Sequence, residues 1–153
     1  MFMNCKIQQS KLSGRIVCPA NKSYTHRAIF LAALSDGKSI VKKILRSNDT
    51  IATINACRSF GVEVEELENN VTIKNTIDAK VQSSIIDAEN SGTTIRIASA
   101  IAALAGGSTT LTGDESLRKR PMQPILDALE TMGVKTESDD GKPPVHILSL
   151  IHI

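Results

Sequence analysis

The sequence is poor in aromatic residues and carries little excess charge. It has no Trp and one Tyr, and aromatic residues make up 3% of the chain. Because single-stranded nucleic acid is bound largely by stacking bases on aromatic side chains, this scarcity argues against such a platform. The net charge of +2 is also too small to indicate a phosphate-binding surface over the whole molecule. We therefore expect no nucleic-acid partner.

The three cysteines have no spacing typical of a metal site or a disulfide framework. Cys5, Cys18 and Cys57 are an odd number, and no Cys-x-x-Cys pair or Cys/His cluster occurs. We expect all three to be small buried residues of a protein in a reducing compartment. The N-terminus reaches Lys6 before any long apolar run, which argues against a signal peptide or membrane anchor. The sequence thus predicts a cytoplasmic protein with no metal site and no membrane partner.

A βαβαββ pattern occurs twice, with a period of about 70 residues. The first copy predicts strand, helix, strand, helix and hairpin at residues 15–18, 22–35, 39–44, 48–60 and 62–73, with the turn at Asn69 and Asn70. The second predicts the same order at residues 84–87, 91–104, 108–112, 121–132 and 134–148, with Pro121 at the first helical position. Residues 3–9 predict a further strand outside the repeat. The expected fold is α/β (α+β), with two units sharing one core.

The first helix of each copy has apolar residues at helical spacing, which is typical of a buried helix face. The predicted core positions are Ala28, Leu31, Ala32, Leu34, Ile97, Ile101 and Leu104. The helices would then lie inside or against the sheets.

Polar and cationic residues gather at the start of that helix in both copies. They are Asn21, Lys22, Ser23 and Arg27, and Asn90, Ser91, Gly92 and Arg96. Free N–H groups and the helix dipole favour a phosphate or carboxylate there. Ser23 and Arg27 are four residues apart and can grip one carboxylate, while Gly92 lets a ligand approach the backbone. The alternative is that the polar residues are ordinary N-caps and the cations are solvated, and spacing alone leaves both open.

A third cationic group, Arg118, Lys119 and Arg120, lies just ahead of a predicted helix and by charge alone indicates a basic surface loop. Asp49 is interpreted first as an N-cap or first-turn acid. The histidines are scattered and carry no predicted role: His26, His146 and His152. The residues reveal no general acid or base.

Four ordered motifs resemble the enolpyruvyl transferase family. They are residues 19–23 (Pro-Ala-Asn-Lys-Ser), 47–50 (Ser-Asn-Asp-Thr), 90–96 (Asn-Ser-Gly-Thr-Thr-Ile-Arg) and 111–122, which runs from Leu-Thr-Gly-Asp to Arg-Pro-Met. The family has two domains of three βαβαββ units each, so the resemblance implies that about two of six units are present. Two features favour the EPSP synthase (3-phosphoshikimate 1-carboxyvinyltransferase) branch of this family. Position 23 is Ser, where the UDP-N-acetylglucosamine branch has Asn, and residues 115–119 contain no Cys.

The resemblance implies transfer of the enolpyruvyl group of phosphoenolpyruvate to the 5-hydroxyl of shikimate 3-phosphate, with release of phosphate and no cofactor. It implies that Ser23 and Arg27 hold the carboxylate of shikimate 3-phosphate and that Lys22 lies between the two substrates. The residues implied for phosphoenolpyruvate are Lys22, Asn90, Gly92 and Arg120. Both substrates are anionic, which agrees with the chemistry of the helix starts.

The resemblance also implies a domain division. Residues 1–18 would be strands that associate with the family's second domain, 19–148 part of the first domain, and 149–153 a truncated or non-native end. The family's Ser-Ser-Gln segment, catalytic Asp and second-domain cations have no counterpart in the chain, and Ala20 replaces a glycine. We expect a fragment that is inactive alone, from a monomeric parent. The alternatives are a non-catalytic anion-binding module and a UDP-N-acetylglucosamine 1-carboxyvinyltransferase.

Overall fold

Two β-sheets pack against three mutually contacting helices in the computed structural model, which describes residues 5–75 and 85–149. In chain order the elements are α1 (Lys22–Leu34), β1 (Gly37–Lys42), α2 (Asn48–Ser59), β2 (Glu63–Leu67), β3 (Asn70–Asn75), β4 (Ile85–Asp87), α3 (Gly92–Leu104), β5 (Ser108–Thr112), α4 (Glu115–Arg118), α5 (Gln123–Thr131), β6 (Lys135–Asp139) and β7 (Lys142–Leu148). Helices α1, α2 and α3 contact one another, α1 packs on β1 and β3, and α3 packs on β5 and β7. The mixed α/β fold class is confirmed.

The two sheets repeat one arrangement. The first has the order β1-β3-β2 with antiparallel neighbours, and the second has β4-β5-β7-β6, in which only β4 and β5 are parallel. Strands β1, β3 and β2 therefore correspond to β5, β7 and β6. The predicted βαβαββ order is confirmed in the second copy, with the short helix α4 as an element that the sequence pattern did not predict.

The strand predicted at residues 15–18 is wrong. Residues 5–20 form no helix or strand, and Ile16 and Val17 are 89% and 98% exposed. A strand needs a neighbour that takes up its backbone N–H and C=O groups, and a short apolar run does not supply one. The strand predicted at residues 3–9 is likewise absent at 5–9, and residues 3 and 4 lie outside the described ranges. The first copy therefore has the described order αβαββ.

Helix α5 begins later than predicted. Its first residue is Gln123, and Pro124 rather than Pro121 occupies the first turn. Met122 precedes the helix as N-cap, is fully buried and donates its N–H to the carbonyl of Gly141 at 2.7 Å. That long-range hydrogen bond holds Met122 outside the helix.

The hairpin turn between β2 and β3 lies one residue earlier than predicted. Glu68 has a left-handed φ of 39°, and Asn70 is already the first residue of β3. The side chain of Asn70 accepts the N–H of Lys43 at 3.0 Å. Asn70 is therefore tied to the strand side of the turn.

Both copies contribute to one core. Its largest fully buried side chains include Ile29, Ile54, Ile73, Ile95, Leu111 and Ile147. Of the predicted core residues, Ala32 and Ile101 are buried, whereas Ala28 and Ile97 are only half-buried. Three of the predicted positions are wrong, with exposures of 66%, 55% and 63%: Leu31, Leu34 and Leu104. The helices are apolar on more than one side, so the spacing did not identify which side the neighbouring elements cover.

Of the cysteines, only Cys57 is buried as predicted. Burial raises the pKa of its thiol to about 12. Cys5 and Cys18 are exposed, contrary to the prediction, because they lie in the segment that joins neither sheet.

Candidate functional site

The N-terminal ends of α1, α2 and α3 open on one cleft of about 490 Å³. It is lined by Lys22, Arg27, Asp49, Asn90, Gly92, Thr93, Arg96, Ile97 and Arg120. Four of these side chains are cationic and one is a carboxylate. The positive ends of helix dipoles add to the same charge. The cleft therefore suits a small ligand, or two ligands, with several anionic groups.

A side chain caps each of the three helix starts at the cleft. Capping by one residue therefore leaves the neighbouring residues able to bind a ligand. Asn21 accepts the N–H of Tyr24 at 3.0 Å in α1, and Ser47 forms a capping box with Thr50 in α2. Ser91 caps α3 by accepting the N–H of Thr94. The cap of α3 is thus one residue beyond Asn90, which leaves the Asn90 amide available for other partners.

Lys22 and Asp49 join the starts of α1 and α2. The Lys22 ammonium lies 2.7 Å from Oδ2 of Asp49, with the two side chains 52% and 27% exposed. A pair this exposed adds little stability. It does place an ammonium at the cleft wall, where an anionic ligand can compete with Asp49 for it.

Two guanidinium groups converge above Gly92. A Cβ built on Gly92 would lie 3.0 Å from Nη1 of Arg96 and 3.0 Å from Nη1 of Arg120. Arg96 donates to the carbonyl of Gly92 and to that of Pro121, each at 3.0 Å. The missing side chain of Gly92 thus provides the space in which both arginines meet the helix start.

Asn90 holds Arg120 in a chain of hydrogen bonds. Its Oδ1 accepts from Nη2 of Arg120 at 2.5 Å, and its Nδ2 donates to Oδ2 of Asp114 at 2.7 Å. The other oxygen of Asp114 accepts the N–H of Leu117 at 2.7 Å, which caps α4. That backbone hydrogen bond, helped by Asn90 and the charge of Arg120, lowers the pKa of Asp114. Opposite partners on its two ends fix the Asn90 amide in one orientation.

At the start of α1, Arg27 lines the cleft and donates to the backbone carbonyl of Ser23 at 3.1 Å. Ser23 itself is exposed and does not line the cleft. The proximity predicted from their spacing is present, but through the carbonyl and not the hydroxyl of Ser23.

Five of the six predicted site residues line the cleft: Lys22, Arg27, Asn90, Gly92 and Arg120. Their roles toward a ligand stay predictions. Arg118 and Lys119, the neighbours of Arg120, do not line the cleft: Arg118 ends α4, and Lys119 pairs with Glu115 at 2.6 Å.

Four lining residues were given no ligand role from the sequence, although Arg96 was among the helix-start cations: Asp49, Thr93, Arg96 and Ile97. Asp49 is in the first turn of α2, as interpreted, but it also faces the cleft. Arg96 had a usable signal, since it follows Gly92 by four residues as Arg27 follows Ser23, and each guanidinium binds the carbonyl one turn back. Ile97 was assigned to the core, but the cleft exposes part of it.

The described ranges contain neither a group of metal ligands nor a membrane-spanning helix. No group of three or more His, Cys, Asp or Glu residues there is arranged to hold a metal ion. In the same ranges, every helix is too short or too polar to cross a bilayer. His146 is exposed on β7 and pairs with Thr110 at 2.8 Å, while His152 lies outside the described residues.

Comparison with known proteins gives a consistent result. The family model for EPSP synthase (3-phosphoshikimate 1-carboxyvinyltransferase) matches residues 7–153. A protein of Nitrosopumilus maritimus named 3-phosphoshikimate 1-carboxyvinyltransferase is 55% identical over 149 residues, which cover 97% of this chain and 35% of that protein. A protein of the same name from Methanosphaera stadtmanae is 46% identical over 141 residues, covering 89% of this chain and 33% of that protein.

A solved structure of EPSP synthase from Acinetobacter baumannii superposes with a TM-score of 0.82 at 34% identity. The match covers 90% of this chain and 32% of that one. The chain thus spans about a third of the length of the relatives that it matches.

Proposed function

Because this chain belongs to the EPSP synthase family, we propose that the protein containing it transfers the enolpyruvyl group of phosphoenolpyruvate to the 5-hydroxyl of shikimate 3-phosphate and releases phosphate. The chain supplies the part of the site that holds the anionic groups. The named relatives support the reaction, and the cationic cleft supports the role of this chain in holding the anionic groups.

The observation that carries the proposal is the convergence of Arg96 and Arg120 above Gly92, in a cleft that Lys22 and Arg27 also line. Each substrate carries one carboxylate and one phosphate. Guanidinium groups bind such oxygens through paired hydrogen bonds, and the helix starts add unpaired N–H donors. The four cations outnumber the single carboxylate of Asp49, so the cleft carries an excess of positive charge that attracts such ligands.

We assign the residues as follows. Arg27 holds the carboxylate of shikimate 3-phosphate, and the exposed hydroxyl of Ser23, one turn earlier on α1, turns toward the same group when the ligand is bound. Lys22 lies between the two substrates. Gly92, through its backbone, and Arg120 hold phosphoenolpyruvate. Asn90 keeps Arg120 in place from behind, as its hydrogen bond to the guanidinium supports.

The reaction proceeds by addition and elimination. A proton adds to C3 of phosphoenolpyruvate, and the 5-hydroxyl oxygen attacks C2 and loses its proton. The C2–O bond to phosphate then breaks, and a proton leaves C3 to restore the double bond. The cations of the cleft stabilise the charge that grows on the departing phosphate. We assign no proton-transfer step to this chain.

The test uses the product of the full coding sequence that contains this chain. We expect it to release phosphate only when both shikimate 3-phosphate and phosphoenolpyruvate are present. Arg120→Met should lower kcat/KM about a hundredfold, because one charged donor to the reacting group is lost. Arg118→Met, an exposed arginine two residues away that does not line the cleft, should leave kcat/KM unchanged. Absence of phosphate release by the unmodified protein would refute the proposal.

Two alternatives make different predictions. A non-catalytic module would bind shikimate 3-phosphate in calorimetry, lose it in Arg27→Ala, and show no turnover even in the full-length protein. The UDP-N-acetylglucosamine branch would turn over that sugar nucleotide instead. Residues 115–119, where that branch has its cysteine, here comprise α4 and its C-cap Lys119 and contain no cysteine.

We further propose that the parent acts as a monomer in the cytoplasm. All three cysteines are free thiols, which suits a reducing compartment.

A further inference from the structure

A row of buried polar side chains lies behind the cleft and joins three helices. Nδ1 of His26 in α1 is 2.6 Å from Oγ1 of Thr53 in α2, and that oxygen is 2.7 Å from Oγ1 of Thr94 in α3. Thr94 in turn bonds to Oγ of Ser91 at 2.7 Å. His26, Thr53 and Thr94 are 0% exposed, and Ser91 is 1% exposed. We refer to these four residues as the buried row.

The short contacts of the buried row favour one proton order. Thr94 donates to Ser91, and the 2.7 Å contact between the Thr53 and Thr94 oxygens needs a proton, which Thr53 supplies. The Asp49 carbonyl, 3.3 Å from the Thr53 oxygen, is the more distant acceptor for that proton. Thr53 then accepts from His26, which must carry its proton on Nδ1. Nε2 of His26 has no hydrogen-bond partner among the described residues, so a proton on it would be a buried donor without an acceptor. The ring is neutral in this arrangement, and burial, which lowers the pKa of His26, acts in the same direction.

Each helix tied by the buried row carries cleft residues within one turn. His26 follows Lys22 by one turn of α1, and Thr53 follows Asp49 by one turn of α2. The Thr53 hydroxyl also lies 3.3 Å from the Asp49 carbonyl. Thr94 is in the first turn of α3, where that helix meets the cleft. A change in the spacing of the row therefore changes the spacing of Lys22, Asp49 and the start of α3, which line the cleft.

Apolar side chains could fill the same volume, but they would not fix these distances. Dispersion contacts change gradually with separation, whereas a hydrogen bond weakens steeply when its length or angle departs from the optimum. A buried polar group without a partner also costs stability, so a row joined end to end favours one arrangement of the three helices.

We propose that His26, Thr53 and Thr94 are positioning residues that set the separation of the starts of α1, α2 and α3, and through it the geometry of the anion-binding cleft. The inference rests on the proposed function only in the choice of shikimate 3-phosphate as the ligand whose affinity is measured.

The first test compares variants of the full-length protein for affinity toward shikimate 3-phosphate. Thr53→Val keeps the shape and removes the hydroxyl, and we expect Kd to rise about tenfold through misplacement of the binding groups. Thr53→Ser restores the hydroxyl and should bring Kd back to within about twofold. Thr109→Val is the matched control, since Thr109 is also buried, lies on β5 away from the row, and has a hydroxyl with no partner in the described ranges. Its Kd should not change.

The second test needs no ligand and so separates this inference from the proposed function. Nitrogen-15 NMR of the unmodified protein should show His26 neutral with the proton on Nδ1. Thr53→Val should shift the backbone amides of Lys22 and Gly92, whereas Thr109→Val should not. If the unmodified protein fails to bind shikimate 3-phosphate but these signals appear, the positioning role is supported and the proposed function is not.

The inference is overturned if the proton is found on Nε2 of His26, or if Thr53→Val matches Thr109→Val in both affinity and amide shifts. Should Thr53→Val fail to fold, Thr94→Val against Thr94→Ser provides the same comparison.

Discussion

At the scale of single residues, the space left open at Gly92 governs where two arginines lie. A Cβ added at this position would meet the far ends of Arg96 and Arg120, 3.0 Å away, and not rigid backbone. Flexible side-chain ends can move aside at small cost. A side chain at position 92 is therefore expected to disturb the site more than the fold.

Gly92→Ala should lower the affinity for phosphoenolpyruvate about tenfold while changing the free energy of unfolding by less than about 0.5 kcal/mol. The guanidinium groups would have to swing away from the helix start. Gly106→Ala is the control, because nothing lies within 4 Å of its added Cβ. Calorimetric titration measures the affinity for phosphoenolpyruvate of both variants, and urea denaturation measures their free energy of unfolding. Equal affinities in the two variants would contradict the prediction.

His26 makes the stability of the chain depend on pH. Burial lowers its pKa in the folded state; Asp49 opposes this effect, and Lys22 and Arg27 reinforce it. The unfolded chain, with an ordinary pKa of about 6.5, takes up the proton first as the pH falls. The contribution of His26 to stability is therefore complete above about pH 6.5 and is lost as the pH falls toward the lowered folded pKa.

We accordingly expect the free energy of unfolding to fall between about pH 7.5 and pH 5.5, and to fall less in His26→Asn, which has no group that titrates there. Urea denaturation at the two pH values measures the difference. The same pH dependence in both proteins would show that His26 is not the group responsible.

At the scale of elements, local sequence signals predicted α1, α2 and α3 closely, whereas the strand at residues 15–18 depended on a partner distant in sequence. Capping residues and glycine stops lie within a few residues of the ends they mark, so the starts of α1 and α3 were predicted to within one residue. The strand at residues 15–18 failed because a strand exists only with a partner, and the partner is not encoded nearby.

Only part of the cleft could be predicted from the sequence. Lys22 and Gly92 stand at helix starts, where the sequence itself indicates anion binding. Asp49 faces the cleft only because α2 packs beside α1, and Arg96 meets Arg120 only because residues 118–121 return to the start of α3. Those neighbours depend on the tertiary fold, which spacing does not describe.

The cap of α1 offers a test at this scale. Asn21→Ala removes the acceptor for the N–H of Tyr24 and should reduce the free energy of unfolding by about 1 kcal/mol. Asn21→Ser retains a capping oxygen and should cost much less. Thermal and urea denaturation compare the two. If both variants were equally stable, the cap would not be contributing.

At the scale of the whole molecule, the cleft that the described residues form is open to water and not an enclosed chamber. The Lys22 side chain is 52% exposed even though it is paired with Asp49. Water weakens the interaction of cations with developing negative charge and competes for reactive intermediates. Holding two anions for reaction requires further chain to cover them.

We therefore expect the purified 153-residue chain to produce no phosphate from shikimate 3-phosphate and phosphoenolpyruvate, under conditions in which the full-length protein does. A coupled phosphate assay on both proteins at equal concentration makes the comparison. Turnover by the short chain above background, abolished by Lys22→Met, would disprove the expectation.

Cys57 provides a chemical probe of how often the helices separate. Its thiol lies at an apolar cavity of about 130 Å³ between the helices, and with a pKa of about 12 it holds almost no reactive thiolate at neutral pH. Cys5 and Cys18 are exposed. A thiol reagent should therefore label the chain in two phases: a fast one at the exposed pair and a slow one at Cys57, whose rate reports how often the helices part.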